Sequence, residues 1–284
     1  MTLTIKPLAK ALAAEVTGVD IRASLEESIS AAIIEALAHH LVLVFPGEPI
    51  SDEQQIAFSR IFGPLEMTKG ANPSSGTVFA RQSNIDLDTG GTIPDDDRRM
   101  LYQKANMLWH SDSSFKQVLS RCSILSAREI PAVGGATEFA STRAAYESLD
   151  ADRKRELEGL IVEHNIVYSR RLVGFEFTPE EARSFHGYRH RLVQDCAVTG
   201  RKSVLIGAHA KAIVDWPEDK SRVLLDDLLA RATLPNHTYR HVWRNGDVVI
   251  WDNRAIVHRA TPYDGVKYRR LMQRTTISMS DRPE

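Results

Sequence analysis

Two apolar periodicities alternate along the chain, and their order predicts its elements. Ser24-Leu25-Glu26-Glu27 has the spacing of a capping box, in which hydroxyl and carboxylate each satisfy an orphan backbone N–H. It precedes an i+4 stripe of Ile29, Ile33 and Leu37. This predicts a helix ending near His39-His40, where imidazole suits the negative end of the macrodipole and takes no chemical role. Residues 41–45 are short, apolar and β-prone, closed by Pro46-Gly47: a buried strand and a turn. A second capping box, Ser51 to Gln54, predicts a helix through Ile56 and Phe62, stopped at Gly63-Pro64.

Residues 67–105 and 168–191 have no clean period. In the first, Asn72-Pro73-Ser74-Ser75-Gly76, Thr89-Gly90-Gly91 and Asp95-Asp96-Asp97 interrupt one strand-like run at 77–80. The second is polar, arginine-rich and aromatic. Loops of this length inside a compact domain act as lids or inserts, and 95–97 reads as a solvated tip. After a helix over roughly 217–231, strands follow at 238–243, 247–251, 255–258 and 270–278, with an earlier one at 203–206. Asn245-Gly246 predicts a hairpin between the strands at 238–243 and 247–251, because both residues tolerate φ > 0. Many short strands without a βαβ repeat predict one domain over 1–284, mainly β with flanking helices, as a barrel or double-sheet jelly roll.

Charge narrows the function. The 284 residues carry 36 Lys+Arg against 37 Asp+Glu. That balance lacks the basic excess with which a nucleic-acid binder neutralises phosphates. No run approaches the roughly 18 apolar residues of a spanning helix, and the N-terminal residues lack the charged and apolar regions of an export signal. The two cysteines, Cys122 and Cys196, form neither a disulfide framework nor a thiolate metal site, and read as structural thiols in a cytoplasmic protein.

Ten histidines and 37 acidic residues give about one His-x-Asp/Glu triplet by chance, and His110-Ser111-Asp112 is one. In an extended chain its two side chains share a face, roughly 7 Å apart at the backbone. Joined by a second histidine they would make the two-His-one-carboxylate triad of non-haem Fe(II) oxygenases. His258, taken alone on an apolar strand, reads more readily as a satisfied core histidine than as a ligand. His209 could line a pocket or be structural. Trp109, Trp243 and Trp251 are core or pocket-wall aromatics. Arg270 and Arg274 could grip anions, or pair with Asp247 and Asp252. His164, His186, His190, His237 and His241 have no ligand spacing.

Trp251-Asp252-Asn253-Arg254, followed by Val257-His258-Arg259-Ala260, resembles the distal-histidine segment of the taurine/dichlorophenoxyacetate dioxygenase family, whose members depend on Fe(II) and 2-oxoglutarate. Thr17-Gly18-Val19-Asp20, Val44-Phe45-Pro46-Gly47, Gln55-Ile56-Ala57-Phe58, Phe62-Gly63-Pro64 and Gly134-Gly135-Ala136-Thr137 fall in family order along nearly the whole chain. The resemblance implies a double-stranded β-helix (jelly roll, cupin-like) holding iron with His110, Asp112 and His258, and consuming O2 and 2-oxoglutarate. It also implies Thr137 and Arg270 on the carboxylates of 2-oxoglutarate, and Arg274 on an anionic prime substrate. Guanidinium suits both tasks, since it can grip a carboxylate bidentately, and a spacing of four keeps two strand residues on one face. The family commonly places its cosubstrate arginine eleven residues after the distal histidine, which falls on Arg269. Aligning the core Arg270-Leu271-Met272-Gln273-Arg274 selects Arg270 instead.

Trp109-His110-Ser111-Asp112-Ser113-Ser114-Phe115, Arg143-Ala144-Ala145-Tyr146 and Leu205-Ile206-Gly207-Ala208-His209-Ala210 resemble the aryloxyalkanoate branch. That branch hydroxylates the carbon between an ether oxygen and a carboxylate, releasing a phenol and an oxo-acid. Asn106, Lys69 and His209 are then candidate substrate contacts, with the loop after Gly63-Pro64 as a lid. A sulfonate, an alkyl sulfate or another carboxylate would keep the chemistry and change the substrate; a non-catalytic metal-binding barrel would keep only the fold. A zinc hydrolase would need a general base that the sequence does not reveal. Family habit implies a homo-oligomer.

Overall fold

The computed structural model describes residues 2–68, 76–86 and 88–279; Lys69 lies outside them. The strand Val248–Asp252 is buried along its whole length, as an unbroken apolar run requires. Val249 and Trp251 enter one core with Leu125, Phe139 and Met272. Val248 and Ile250 enter another with Phe45, Phe58 and Ile124. This strand stands at the middle of a seven-stranded sheet ordered Thr4–Pro7, Ala14–Thr17, Val42–Phe45, Val248–Asp252, Ser120–Glu129, Leu271–Ser278, Phe79–Ser83. Only Ala14–Thr17 and Val42–Phe45 pair in parallel.

A second sheet, ordered Thr238–His241, Thr137–Ser141, Ile256–Ala260, shares the core of Phe139, Trp243 and Trp251 with the first. Glu27–His40 and Asp52–Arg60 cover the outer face of the large sheet through Ile33, Leu37 and Phe58. Glu218–Ala232 packs Leu224, Leu225 and Leu228 against Ala140 and Val257, behind the second sheet. Gln55 is fully buried yet satisfied: its Nε2 donates to the Gln273 carbonyl at 3.0 Å, and its Oε1 accepts from Ser126 Oγ at 2.7 Å. It bolts the helix Asp52–Arg60 to the two strands beneath it. The molecule is thus mainly β with flanking helices, and no described helix is long and apolar enough to cross a membrane.

Several local expectations need correction. The first helix starts at Glu27 without a side-chain cap. Ile21 and Leu25 pack into the core beneath it, leaving Ser24 ahead of the capping position. The Ser51–Gln54 capping box forms as expected. Asn245-Gly246 joins no hairpin: Thr238–His241 belongs to the second sheet and Val248–Asp252 to the first. Val248–Asp252 is already paired on both edges, by Val42–Phe45 and Ser120–Glu129, so neither edge can take a hairpin partner. The turn is instead a corner between sheets, fastened by Asp247, which accepts from the Arg244 N–H at 2.8 Å and faces His241 Nε2 at 3.0 Å. The two aperiodic segments contain short helices, Arg98–Lys104, Ile166–Arg171 and Pro179–Ser184, and the strands Phe79–Ser83 and Tyr188–Arg191. Asp97 caps the first of these helices rather than sitting free in solvent.

At the corner, Gly246 has φ +88°, and a Cβ there would lie 2.2 Å from the Gly47 carbonyl oxygen. Gly246→Ala should therefore destabilise the fold by about 2–4 kcal/mol. Gly47→Ala, with nothing within 4 Å of its added carbon, should cost less than about 1 kcal/mol. Urea midpoints of the two variants measure the difference, and equal small shifts would remove the corner's claim to strain.

Candidate active site and metal centre

His110 and His258 exchange two backbone hydrogen bonds, His110 N–H to the His258 carbonyl at 3.0 Å and the reverse at 2.8 Å. This isolated antiparallel bridge holds their ring centroids 4.3 Å apart. Trp251, at 4.5 Å between centroids, and Phe139, at 6.1 Å, pack on the His258 ring. Gly207 presses against the other histidine, where a Cβ would come within 3.0 Å of His110 Cα. Beyond His110 the chain leaves its extended path, and Ser113 adopts φ +55°. Asp112 is thus aimed by a turn, not by strand alternation. One ligand atom from each of His110, Asp112 and His258 lies within 4.8 Å of the others, and all three residues are buried.

Neighbours orient these groups. His110 Nδ1 lies 2.8 Å from the Leu108 carbonyl. A carbonyl only accepts, so Nδ1 carries the proton and Nε2 keeps its lone pair, 3.8 Å from Asp112 Oδ1. Asn253 Nδ2 donates to Ser123 Oγ at 2.9 Å, and Ser123 Oγ donates to Asp112 Oδ2 at 2.8 Å. Arg274 Nη1 bonds Asp112 Oδ1. Burial alone would raise the Asp112 pKa, but Arg274, the two histidines and Ser123 outweigh it and hold the carboxyl at about 2. Burial pushes both His110 and His258 below the ordinary imidazole range. At neutral pH the set is one carboxylate and two neutral imidazoles, the protonation state a divalent metal needs. Both ring nitrogens of His258 are buried without a hydrogen-bond partner among the described residues, a deficit that coordination would repair on one side. The N/O donor set therefore fits Fe(II) with open positions left over.

A cavity of about 360 Å³ opens over His110 and Asp112, walled in part by Asn106, Phe115, His209 and Arg274. A second, of about 160 Å³, reaches Arg270 and shares Gln82 and Asn106 with the first. Thr137 and His258 border a small void beside the same Gln82 and Asn106. Thr137 Oγ1 accepts from Trp243 Nε1 at 3.0 Å, which leaves its hydroxyl proton to donate elsewhere. The structure thus gathers Asn106, Thr137, His209, Arg270 and Arg274 around the buried trio. His209 is both pocket wall and structural residue, since its Nδ1 lies 2.8 Å from Ser169 Oγ.

The two adjacent arginines differ sharply. Arg269 is exposed, and its Nε donates to Glu129 at 2.9 Å. Arg270 is 5% exposed, and its Nε and Nη2 have no hydrogen-bond partner among the described residues. Burial lowers its pKa to about 10. Asn84 fixes it, accepting the Arg270 N–H at 2.8 Å while donating to the Gly265 and Tyr268 carbonyls. Gly134 and Gly135, at φ +83° and +66°, let the neighbouring turn close against it: a Cβ on Gly135 would lie 3.4 Å from Arg270 Nε. Asp247 and Asp252 do not pair with these arginines; His241 and Arg254 take them. The sequence reading gave no role to Ser123, Asn253, Asn84 or Arg170. Asn253 was visible inside the Trp251–Arg254 motif, but its link to Asp112 runs through a serine far away in the chain.

A buried carboxylate and two neutral histidines, opening on cavities lined by arginine, define a non-haem metal oxygenase. The chain matches the family described as "Taurine catabolism dioxygenase TauD, TfdA family" over residues 4–276, and belongs to it. It is a 2-oxoglutarate-dependent (α-ketoglutarate-dependent) dioxygenase. It is 41% identical to the alpha-ketoglutarate-dependent 2,4-dichlorophenoxyacetate dioxygenase of Cupriavidus pinatubonensis, over 98% of each chain. It is 38% identical to the (S)-phenoxypropionate/alpha-ketoglutarate-dioxygenase of Sphingobium herbicidovorans, over 96% of this chain and 94% of that one. The crystal structure of AAD-2 in complex with Mn(II) and N-oxalylglycine superposes with a TM-score of 0.90 at 38% identity, covering 100% of this chain and 98% of that one.

Behind His209, His164 is fully buried with Nδ1 3.1 Å from Ser114 Oγ, and burial pushes its pKa down to about 3. The unfolded chain, with this imidazole near 6.5, binds the extra proton first. The stability His164 contributes is therefore complete above pH 6.5 and is lost as pH falls from there toward 3. In the metal-free protein, His164→Asn should flatten the fall of stability over that window by up to about 1.4 kcal/mol per pH unit. Urea titrations at pH 7, 6, 5 and 4 read the slope, and parallel profiles would show that His164 titrates normally.

Proposed function

We propose that this enzyme holds Fe(II) with His110, Asp112 and His258, and hydroxylates an aryloxyacetate-like carboxylate at the carbon between ether oxygen and carboxylate. The observation behind this is the buried trio beside Arg270, a desolvated guanidinium with no carboxylate partner among the described residues. When bound, the iron lets O2 convert 2-oxoglutarate to succinate and CO2 while one oxygen atom enters a substrate C–H bond. The product is a hemiacetal, which collapses to a phenol and an oxo-acid.

The protein's own part is orientation, charge and dryness. Arg270 grips the distal carboxylate of 2-oxoglutarate, and Thr137 donates its free hydroxyl proton to a carboxylate of the same molecule. Arg274 takes the anionic group of the prime substrate, with Asn106, His209 and Lys69 as further contacts. Phe115 and Phe185 offer the aryl ring apolar walls. Tyr102 from the first aperiodic segment and Phe185 from the second line the same cavity, which supports their lid role. The two sheets that share a core read as a double-stranded β-helix, or jelly roll, within one domain over 1–284. A homo-oligomeric cytoplasmic protein without nucleic-acid or membrane partners completes the proposal, supported by the balanced charge and the two free buried thiols.

Iron-dependent conversion of 2-oxoglutarate to succinate should be stimulated by phenoxyacetates more than by sulfonates or alkyl sulfates. Failure of every substrate, together with failure to bind iron near unit stoichiometry, would leave only a binding barrel. Arg270→Ala should raise the KM for 2-oxoglutarate roughly 10- to 100-fold, the worth of a charged hydrogen-bond pair. Arg269→Ala, which breaks an exposed ion pair, should change it less than about threefold. The opposite order would move the cosubstrate to Arg269.

A further inference from the structure

We propose that Arg170 is a specificity-determining residue of the prime-substrate cavity, a second guanidinium that recognises the substrate's anionic group together with Arg274. This rests on the substrate class proposed above and adds the residue that enforces it.

Arg170 lies near the end of the helix Ile166–Arg171. Its carbonyl accepts from the Val173 and Phe175 N–H groups at 3.2 and 3.1 Å, which fixes the backbone from which the side chain projects. The residue is 7% exposed and lines the 360 Å³ cavity alongside His209. Its guanidinium carbon sits 4.2 Å from the centre of the Tyr102 ring. A cation–π contact of this kind occupies the ring face without using the guanidinium's N–H donors as hydrogen bonds to a carboxylate. Nε is buried without a hydrogen-bond partner, and among the described residues no carboxylate pairs with this arginine.

Acidic partners are not scarce nearby. Arg98 pairs with Glu181, and Arg99 with Asp86 and Asp97. Glu66, the other acidic side chain on the cavity wall besides Asp112, is engaged by Lys116 at 2.6 Å and Ser113 at 2.7 Å. Arg170 is thus left as a buried cation on the wall of the cavity that His110 and Asp112 also line. A buried charge without a counterion is costly, and a ligand that supplies the counterion recovers that cost. The distal carboxylate of 2-oxoglutarate falls to Arg270, which lines the neighbouring cavity. The anion we assign to the cavity of Arg170 is the prime substrate's own carboxylate or sulfonate. A neutral amide of the same shape would leave the charge uncompensated.

The alternative is that Arg170 only braces Tyr102, which packs edge-on against Phe175 at 5.2 Å. The two roles separate in binding. Enzyme loaded with Fe(II) and 2-oxoglutarate is titrated calorimetrically without O2, using phenoxyacetate and phenoxyacetamide as probes. Arg170→Gln should weaken phenoxyacetate roughly 10- to 100-fold, leave phenoxyacetamide within about threefold, and leave 2-oxoglutarate affinity unchanged. Arg170→Lys, which restores a point charge without the fork, should recover part of the loss. With O2 present, Arg170→Gln should raise KM more than it lowers kcat. Equal weakening of acid and amide, or no change in either, would assign Arg170 to bracing alone. A wild-type enzyme that binds 2-oxoglutarate but neither phenoxyacetate nor an alkanesulfonate would overturn the substrate reading, and this proposal with it.

Discussion

The two backbone hydrogen bonds between His110 and His258 join segments far apart in the chain, and the site is built outward from them. His258 comes from the strand Ile256–Ala260 of the second sheet, whereas His110 opens the turn that carries Asp112 to Ser123 on the large sheet. The bridge therefore crosses from one sheet's edge to the segment that contacts the other. Ring position follows from backbone position, because a closed antiparallel pair leaves opposed side chains little freedom relative to each other. Trp251 and Phe139 then fill the space behind His258, and Gly207 lets another segment close over His110. A side chain at Gly207 would push on the bridge itself. The metal geometry is a property of main chain and core packing before it is a property of three side chains.

Charge is arranged by the opposite logic. Asp112 is well supplied, with Arg274 and the Ser123 hydroxyl on its two oxygens, so it stays ionised despite burial. Among the described residues, Arg270 and Arg170 are under-supplied, each buried without a carboxylate partner. Guanidinium resists deprotonation, so burial cannot relieve itself by loss of the proton at physiological pH. In the proposed reading, the carboxylate of the trio needs nothing more and the two cavity cations each await an anion. Such preorganisation favours ligands that bring charge over ligands that bring shape alone.

Much of this was legible in the sequence. The trio, Thr137, Arg270 and Arg274 lie in short motifs whose residue types state their chemistry, and the structure gathers them around one centre. The choice between Arg269 and Arg270 was a matter of one residue of alignment, and burial separates them plainly. What misled was local chemistry overridden by tertiary pairing. Asn245-Gly246 has hairpin residues, but the strand after it was already claimed on both edges. Ser24 and Glu27 have capping residues, but Leu25 was needed in the core. Elements of four to seven residues gave too few repeats for a period to show, so the helix bearing Arg170 was read as loop. One of them did carry a signal: Thr178 and Glu181 form a complete capping box.

A chain with 36 basic and 37 acidic residues needs no attractive field over its whole surface to bind small anions. Its surface arginines are largely neutralised in place, as in the pairs Arg201–Glu147, Arg240–Glu138 and Arg269–Glu129. Screening makes such exposed pairs weak contributors to stability, yet they cancel the long-range field that would draw polyanions. The unpaired guanidiniums sit where water is excluded and the local dielectric is low, so each acts strongly but only over a few ångströms. Under the proposed function, selectivity for a small carboxylate over a phosphate backbone would follow from location: only an anion small enough to enter a cavity of about 360 Å³ would reach the charge.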